Sequence, residues 1–267
     1  QESRGLGDVY KRQKGDFTSQ AVVDNKPCEA NITGGPGVIS GLKVCLAFLE
    51  RHDIDCTTDY SDGDTIDSPL IISLKGRAHD ILATERLLLN ILSHLSGIST
   101  HTNNIVKIAK EANPNVEILA TRKTLPGLRV LEKEAVVHGG GQTHRMRLDD
   151  AILIKDNHLK LSKSIKESIS LSRTKYPNLM LEVEADNEEQ ALEIAECGAD
   201  RVMLDNFTPL DAAKTIKKLR QFSNIEIEIS GGVTIENVAE YAKNTDFISL
   251  GSLTMSSLPV DFSLHVI

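Results

Sequence analysis

Short apolar runs recur after Pro114, and each is followed by polar residues and then by a segment with the apolar spacing of a helix. Strand-like runs and helical segments that alternate in this way predict βαβ units and a parallel sheet. No G-x-G-x-x-G motif follows the first run, which favours a β/α barrel over a dinucleotide-binding sheet. The six runs are VEILA (116–120), AILI (151–154), LMLEV (179–183), RVML (201–204), IEIEI (225–229) and FISL (247–250), and the predicted helices cover 126–137, 162–176, 188–197, 209–222 and 235–243.

The pattern before Pro114 is different and indicates strands packed around a helix. Residues 28–32 alternate as in a half-buried strand, and PLIISLK (69–75) has the composition of a second strand. Helical tracts are predicted over 78–95 and, after Gly97, to about residue 112. Apolar residues alternate again near the C-terminus, which predicts a strand that returns to this first sheet. We therefore expect an α/β sandwich domain over 14–88, joined by 254–267, and an incomplete parallel β/α barrel over 89–253.

The first 13 residues, QESRGLGDVYKRQ, have no apolar period. Within them, DVYKRQ (8–13) resembles the in-frame translation of a transposon end used to prepare sequencing libraries. We expect residues 1–13 to be an adapter scar rather than native sequence. The natural N-terminus is then expected to be missing.

The composition excludes several classes of function. The 267 residues include 30 Lys and Arg against 38 Asp and Glu, for a net charge of −8, which disfavours binding to nucleic acid or to an anionic membrane. No apolar run approaches the ~18 residues of a membrane-spanning helix, and no signal-peptide core opens the chain. The four cysteines lack CxxC spacing, which is typical of reduced thiols in a cytoplasmic protein.

Polar residues follow every predicted strand, where β/α barrels build their active sites. Residues 121–160 also contain eight Lys or Arg against five Asp or Glu, a basic segment inside an acidic chain. This concentration of charge indicates a small substrate with several negative charges. The strongest basic candidates lie at strand or loop ends and are Arg122, Lys123, Arg145 and Lys155.

Two further features predict phosphate and metal binding. The turn Ser230-Gly231-Gly232 joins a strand to a helix expected to begin near Thr234, so backbone N–H groups and the helix dipole could hold a phosphate. Glu184 and Asp205 end adjacent predicted strands and could share Mg²⁺. The alternative is that each carboxylate forms a salt bridge with a lysine, Lys155 or Lys123.

This region contains three long strings, TRKTLPGLR (121–129), GGGQTHR (139–145) and LIKDNH (153–158). Together they resemble the quinolinate phosphoribosyltransferase family, whose members are also called nicotinate-nucleotide pyrophosphorylases (carboxylating). The resemblance extends over residues 15–267 and implies a barrel of the type II phosphoribosyltransferase kind. Supporting matches are GDFTS (15–19), ERLLLNILSHLSGIST (85–100), EVE (182–184), LDN (204–206), SGG (230–232) and SLGSLT (249–254).

The resemblance implies that quinolinate and phosphoribosyl pyrophosphate give nicotinate mononucleotide, pyrophosphate and CO2, in the de novo synthesis of NAD. It also implies Mg²⁺ on Glu184 and Asp205, and a homodimer in which Arg86 reaches the partner's active site, with assembly into hexamers left open. The implied catalytic residues are Lys123, Lys155, Glu184 and Asp205. The implied substrate-binding residues are Arg86, Thr121, Arg122, Lys123, His144, Arg145, Lys155, Ser230, Gly231, Gly232 and Gly251.

Two alternatives remain open at this point. The first is a Schiff-base lyase that uses Lys155, which the neighbouring charges disfavour because they keep the amine protonated. The second is a non-catalytic protein that binds a phosphorylated metabolite. Met255 favours the second alternative, because family members often have His after the Leu-Thr pair that precedes it, and Met cannot donate a hydrogen bond to phosphate.

Overall fold

The computed structural model describes residues 15–222 and 224–267, so the predicted adapter segment 1–13 lies outside the described residues. The chain forms two compact units that are interleaved along the sequence. Unit 1 contains residues 15–101, 125–140 and 257–267, and unit 2 contains residues 102–124 and 141–256 except residue 223. The predicted boundary between residues 88 and 89 therefore falls inside unit 1.

The helices and strands alternate through most of the chain. In order, they are α1 (Phe17–Val22), β1 (Pro27–Gly34), α2 (Leu42–Glu50), β2 (Asp55–Thr57), β3 (Leu70–Arg77), α3 (Ala78–Ala112), β4 (Glu117–Ala120), α4 (Arg129–His138), β5 (Gln142–Thr143), β6 (Ile152–Ile154), α5 (Asp156–Leu161), α6 (Ile165–Lys175), β7 (Leu181–Ala185), α7 (Glu188–Glu196), β8 (Arg201–Asp205), α8 (Pro209–Leu219), β9 (Glu226–Ser230), α9 (Val238–Ala242), β10 (Phe247–Leu250), α10 (Ser252–Met255) and β11 (Phe262–Val266). Several of the short elements, such as α1, β2, β5, α5 and α10, were not predicted, because two to six residues carry too little periodicity to be recognised.

Unit 1 contains a four-stranded antiparallel sheet in the order β11-β1-β3-β2. Alternation in β1 buries Ala30 and Ile32, which join α2 and the first part of α3 in one hydrophobic core. Where the sequence predicted a returning strand, β11 pairs antiparallel with β1 and places Phe262 opposite Gly34. Phe262 is 5% exposed, so the end of the chain completes the core of its beginning.

The prediction of two helical tracts separated at Gly97 is wrong, because α3 is one continuous helix of 35 residues. Gly97 has a packing role instead of ending the helix. A Cβ atom at this position would collide with the backbone carbonyl of Leu258, so only glycine allows the C-terminal segment to lie against the helix. Across the described residues, no helix is both long enough and apolar enough to cross a membrane.

Unit 2 contains a seven-stranded parallel sheet in the order β5-β4-β10-β9-β8-β7-β6. The strands β7 to β10 are almost completely buried on both faces, as expected when helices cover a parallel sheet. The strands β5 and β6 form the two edges, so the sheet is an open half-barrel. This architecture confirms the predicted α/β class and the incomplete parallel barrel.

Phe262→Ala should destabilise the protein by about 3–5 kcal/mol, because it removes a buried ring from the core of unit 1. The control is Val266→Ala on the same strand, where the side chain is 53% exposed and the expected change is below about 0.5 kcal/mol. Urea unfolding of the two variants measures the difference. Equal destabilisation by both would show that β11 contributes to the sheet but not to the core.

Candidate active site

The sheet of unit 2 gathers the sequence-predicted polar residues at one edge. Thr121, Arg122 and Lys123 follow β4, and Lys155 follows β6. Glu184 lies near the end of β7. Because all these strands are parallel, their carboxyl ends meet at the same edge, where β/α barrels hold their substrates. The remaining positions are Asp205 on β8, Ser230 to Gly232 after β9, and Gly251 after β10.

Two arginines at this edge carry like charges in a partly buried place. The Nε atom of Arg122 is buried and has no hydrogen-bond partner among the described residues. Arg145 donates one hydrogen bond from Nη1 to the carbonyl of Ala151 at 3.0 Å. Burial and the nearby charge of Arg122 lower the pKa of Arg145. Two guanidinium groups arranged in this way are complementary to an anion with more than one negative charge.

Lys155, Glu184 and Asp205 form an adjacent charged group. Lys155 Nζ donates to Glu184 Oε2 at 2.5 Å, so the salt bridge considered as the alternative for Glu184 is present. Asp205 Oδ2 accepts from Asn206 Nδ2 at 2.6 Å. The pKa of Asp205 is raised, first by burial and then by the negative charge of Glu184. This repulsion between two carboxylates is what a bound divalent cation would relieve.

The turn after β9 is formed as predicted, but the helix expected near Thr234 is not. The next helix, α9, begins at Val238 and has five residues, so the predicted contribution of a helix dipole is wrong. Thr234 N–H instead donates to Asn237 Oδ1 at 2.8 Å, which holds the segment as a turn. Gly231 and Gly232 have φ values of 79° and 65°, so the conformation of the turn favours glycine.

Asn206 explains a second constraint on this turn. A Cβ atom on Gly231 would collide with the side chain of Asn206, which itself has a φ of 58°. Asn206 N–H donates to the carbonyl of Ser230 at 2.9 Å. The end of β8 and the turn after β9 are thus held against each other. In the sequence, Asn206 belongs to the LDN motif, but no pattern marks it as a site residue.

Gly251 provides the space for the side chain of Lys123. A Cβ atom on Gly251 would lie 2.7 Å from Lys123 Cδ. Thr254 Oγ1 donates to the backbone carbonyl of Lys123 at 2.5 Å. The SLGSLT segment therefore contacts the side chain of Lys123 through Gly251 and its backbone carbonyl through Thr254. Thr254 was missed as a functional candidate because a hydroxyl-to-backbone contact leaves no periodic signal.

His144 contacts two buried acids that sequence analysis also missed. His144 Nε2 lies 2.7 Å from Glu182 Oε2 and 3.6 Å from Glu228 Oε2. Both carboxylates are almost completely buried, at 1% and 0% exposure. Burial raises the pKa of Glu182 to about 7 and that of Glu228 to about 8. Their signal in the sequence is that LEVE and IEIEI place charged residues inside strands that are buried on both faces.

Arg86 lies on α3 in unit 1, and its side chain is 69% exposed. Its ion pair is with its neighbour Glu85, at 3.5 Å. In the single chain the Arg86 side chain is therefore solvated. An exposed arginine is also what contact with a second copy of the chain would require.

Comparison with known protein families shows which family the chain belongs to. The family model for the C-terminal domain of quinolinate phosphoribosyl transferase matches residues 98–265, and the model for the N-terminal domain matches residues 16–96. The chain belongs to the quinolinate phosphoribosyltransferase family. The resemblance inferred from the sequence motifs is therefore confirmed over both domains.

Individual relatives agree with this assignment. The chain is 41% identical over 259 residues to a "probable nicotinate-nucleotide pyrophosphorylase (carboxylating)" of Archaeoglobus fulgidus, covering 95% of this chain and 98% of the relative. It is 34% identical to the nicotinate-nucleotide pyrophosphorylase (carboxylating) of Rattus norvegicus, covering 92% and 84%. The solved structure of nicotinate-nucleotide pyrophosphorylase from Francisella tularensis superposes with a TM-score of 0.93 at 31% identity, covering 100% and 96%.

Gly251→Ala should reduce kcat/KM by about tenfold to a hundredfold, because the added methyl group displaces the Lys123 side chain from the site. The matched control is Gly198→Ala in the same unit, where no atom lies within 4 Å of the added Cβ. Both positions should be compared by thermal unfolding as well as by activity, because Gly198 has a φ of 83° and its substitution strains the backbone. A fully active Gly251→Ala enzyme would contradict the proposed packing of Lys123.

Proposed function

We propose that this chain transfers the phosphoribosyl group of phosphoribosyl pyrophosphate to quinolinate with loss of CO2. The products are nicotinate mononucleotide, pyrophosphate and CO2, which places the reaction in NAD biosynthesis. The observation that carries this proposal is that Arg122 and Arg145 lie near each other at the edge of the half-barrel and carry like charges. The Nε atom of Arg122 is buried there and has no hydrogen-bond partner among the described residues. Quinolinate is a planar dicarboxylate, and two guanidinium groups match it in charge and geometry.

The basic residues divide between the two substrates by their chemistry. Arg122 and Arg145 bind the quinolinate carboxylates through planar pairs of N–H donors, with Lys123 and His144 beside them. Lys155 lies between quinolinate and the phosphates as a compact positive charge. Thr121 Oγ1 accepts the Lys123 N–H at 3.1 Å, so the hydroxyl also shapes the turn that carries these groups.

The glycine turns bind the phosphoribosyl part of the second substrate. Backbone N–H groups of Ser230, Gly231 and Gly232 bind the 5′-phosphate, and the positive φ values of the two glycines favour the tight turn that this needs. Gly251 contributes at the adjacent strand end. Glu184 and Asp205 lie near the ribose, where positive charge develops when the bond to pyrophosphate breaks.

Glu184 and Asp205 also fit Mg²⁺, because both offer carboxylate oxygens and their mutual repulsion raises the pKa of Asp205. When bound, Mg²⁺ would neutralise charge on the pyrophosphate leaving group. The ion pair between Glu184 and Lys155 uses one carboxylate oxygen of Glu184 and leaves the other for this role. Lys155 thereby also orients Glu184.

The reaction consists of two bond exchanges that the site accommodates. The pyridine nitrogen bonds to C1 of the ribose as the C1–oxygen bond to pyrophosphate breaks, and carboxylates near C1 stabilise the cationic transition state. The ring nitrogen then carries positive charge. When the adjacent carboxylate leaves as CO2, its electron pair remains on the ring carbon and is stabilised by that charge until a proton replaces the carboxylate. The protein supplies orientation and exclusion of water for this second step.

We also propose that the enzyme is a cytoplasmic homodimer with shared active sites. Both substrates carry several negative charges and do not cross a membrane unaided. Arg86 is exposed in the single chain, and in the dimer its guanidinium would bind a quinolinate carboxylate in the partner's site. A Schiff-base lyase would need the Lys155 amine to attack a carbonyl, whereas Lys155 Nζ is engaged by Glu184 Oε2.

The direct test is release of CO2 from carboxyl-labelled quinolinate. The wild-type protein should release it only with phosphoribosyl pyrophosphate present, and chelation of divalent cations should stop the reaction. Arg145→Lys should raise the KM for quinolinate by about tenfold to a hundredfold, because it keeps the charge but loses the paired donors. Arg147→Lys is the control, because that side chain is 74% exposed and pairs with surface aspartates. Binding of both substrates without CO2 release would instead support the non-catalytic alternative.

A second test concerns the shared site. Arg86→Ala and Lys155→Ala chains should each be inactive alone, and mixing them should restore activity because each heterodimer has one intact site. Two different affinity tags isolate the heterodimer before the assay. If isolated heterodimers remain inactive while the wild-type mixture is active, Arg86 does not act across the interface.

A further inference from the structure

The imidazole of His144 is held at both of its ring nitrogens. The backbone N–H of Arg145 donates to Nδ1 at 2.8 Å, and Nε2 lies 2.7 Å from Glu182 Oε2. A nitrogen that accepts a hydrogen bond in the ring plane carries no hydrogen, so the ring hydrogen is on Nε2 and points to the carboxylate. The geometry therefore fixes one tautomer and one orientation of the ring.

Glu182 belongs to a buried charged cluster in which Arg201 and Glu228 act on its carboxyl group. It lies on β7 opposite Arg201 of β8, and the guanidinium of Arg201 donates to Glu228 at 3.1 Å and to Glu226 at 2.8 Å. The ring of Phe247 stacks on this guanidinium, with its centroid 3.8 Å from the Cζ atom. The acids and the arginine thus form a layer inside the half-barrel that is attached to four neighbouring strands.

This layer lies directly below the substrate-binding edge. Glu182 and Glu184 are two residues apart on β7, so their side chains point to the same face of the sheet. Glu184 is placed at the ribose, whereas Glu182 is one step deeper and meets His144 instead. Neither Glu182 nor Glu228 has a role in the proposed reaction, although both are buried charges that require a reason.

We propose that Glu182 is a positioning residue for quinolinate, acting through His144 on Arg145. Glu182, supported by Glu228 and Arg201, fixes the His144 ring, and the ring fixes the Arg145 backbone through Nδ1. The inference rests on the proposed role of Arg145 as a ligand of a quinolinate carboxylate. Its effect is therefore on affinity for quinolinate and not on the phosphoribosyl half of the site.

A metal site is the competing interpretation of the same cluster. His144, Glu182 and Glu228 offer three ligand atoms within 4.8 Å of one another. The hydrogen bonds oppose this interpretation, because the Nε2 hydrogen points to Glu182 and the Arg201 guanidinium already donates to Glu228 Oε2. We therefore assign a structural hydrogen-bond relay to the cluster and treat metal binding as an outcome of the test.

The first measurement is the nitrogen-15 NMR spectrum of the wild-type protein labelled at histidine. The sequence contains eight histidines, and a His144→Gln sample assigns the signal of interest. We expect His144 to be the neutral tautomer with hydrogen on Nε2, and we expect no change when a chelator is added. Hydrogen on Nδ1, hydrogen on both nitrogens or a response to the chelator would overturn the proposal, and the last outcome would indicate a metal.

The second measurement compares Glu182→Gln with Glu182→Leu. Gln keeps an oxygen acceptor at the same reach, so the tautomer of His144 should stay the same and the KM for quinolinate should change by less than about threefold. Leu removes the acceptor and should raise that KM by about tenfold or more. The KM for phosphoribosyl pyrophosphate should stay within about twofold in both. Glu226→Gln is the matched control, because Glu226 binds Arg201 but is not a contact of His144.

The outcomes separate this inference from the proposed function. Folded Gln and Leu variants with the same quinolinate KM would overturn the positioning role. If Glu182→Leu fails to fold, Glu182→Gln still decides the question. A changed tautomer of His144 or a raised KM for quinolinate in Glu182→Gln would contradict the positioning role. If Arg145→Lys leaves the quinolinate KM unchanged, the assignment of Arg145 is wrong, and the positioning role that rests on it is overturned even where the NMR result holds.

Discussion

Parallel pairing of the seven strands in unit 2 is the constraint on which the site depends. It brings the carboxyl ends of the strands to one edge, so residues far apart in sequence, such as Lys123 and Gly251, become neighbours in one site. The same pairing buries both faces of the central strands. A charged side chain in such a strand must therefore find a partner inside the sheet, and this requirement produces the Glu182, Arg201 and Glu228 layer.

At the substrate-binding edge, charged side chains are only partly balanced by side chains of opposite charge. Below the edge, Arg201 partly balances the buried acids through hydrogen bonds such as the one to Glu228. At the edge, Arg122 lies near Arg145, and Glu184 lies near Asp205, with Lys155 and Lys123 as the positive charges that act on Asp205. Like charges held together are unfavourable in the free protein. Under the proposed function, bound substrate and Mg²⁺ would relieve this repulsion, so that repulsion in the free protein contributes to specificity.

Most of the fold and the strand-end residues could be predicted, because they depend on local patterns. Long apolar runs and the strings around Lys123 and Lys155 carry strong signals of period and composition. Failures occurred where tertiary contacts decided the outcome. Gly97 is read as a helix breaker in isolation, but its neighbour Leu258 is 161 positions later in the sequence. Glu182 and Thr254 were missed for the same reason, since their partners lie on distant elements.

The pairing of β11 with β1 has a consequence for how the protein is made. The residues that complete unit 2 end at Ser256, whereas the sheet of unit 1 also requires Phe262–Val266, which is synthesised later. Nascent β1 therefore has one unpaired edge until β11 has been synthesised. During that interval the unpaired edge of β1 is open to association with other chains.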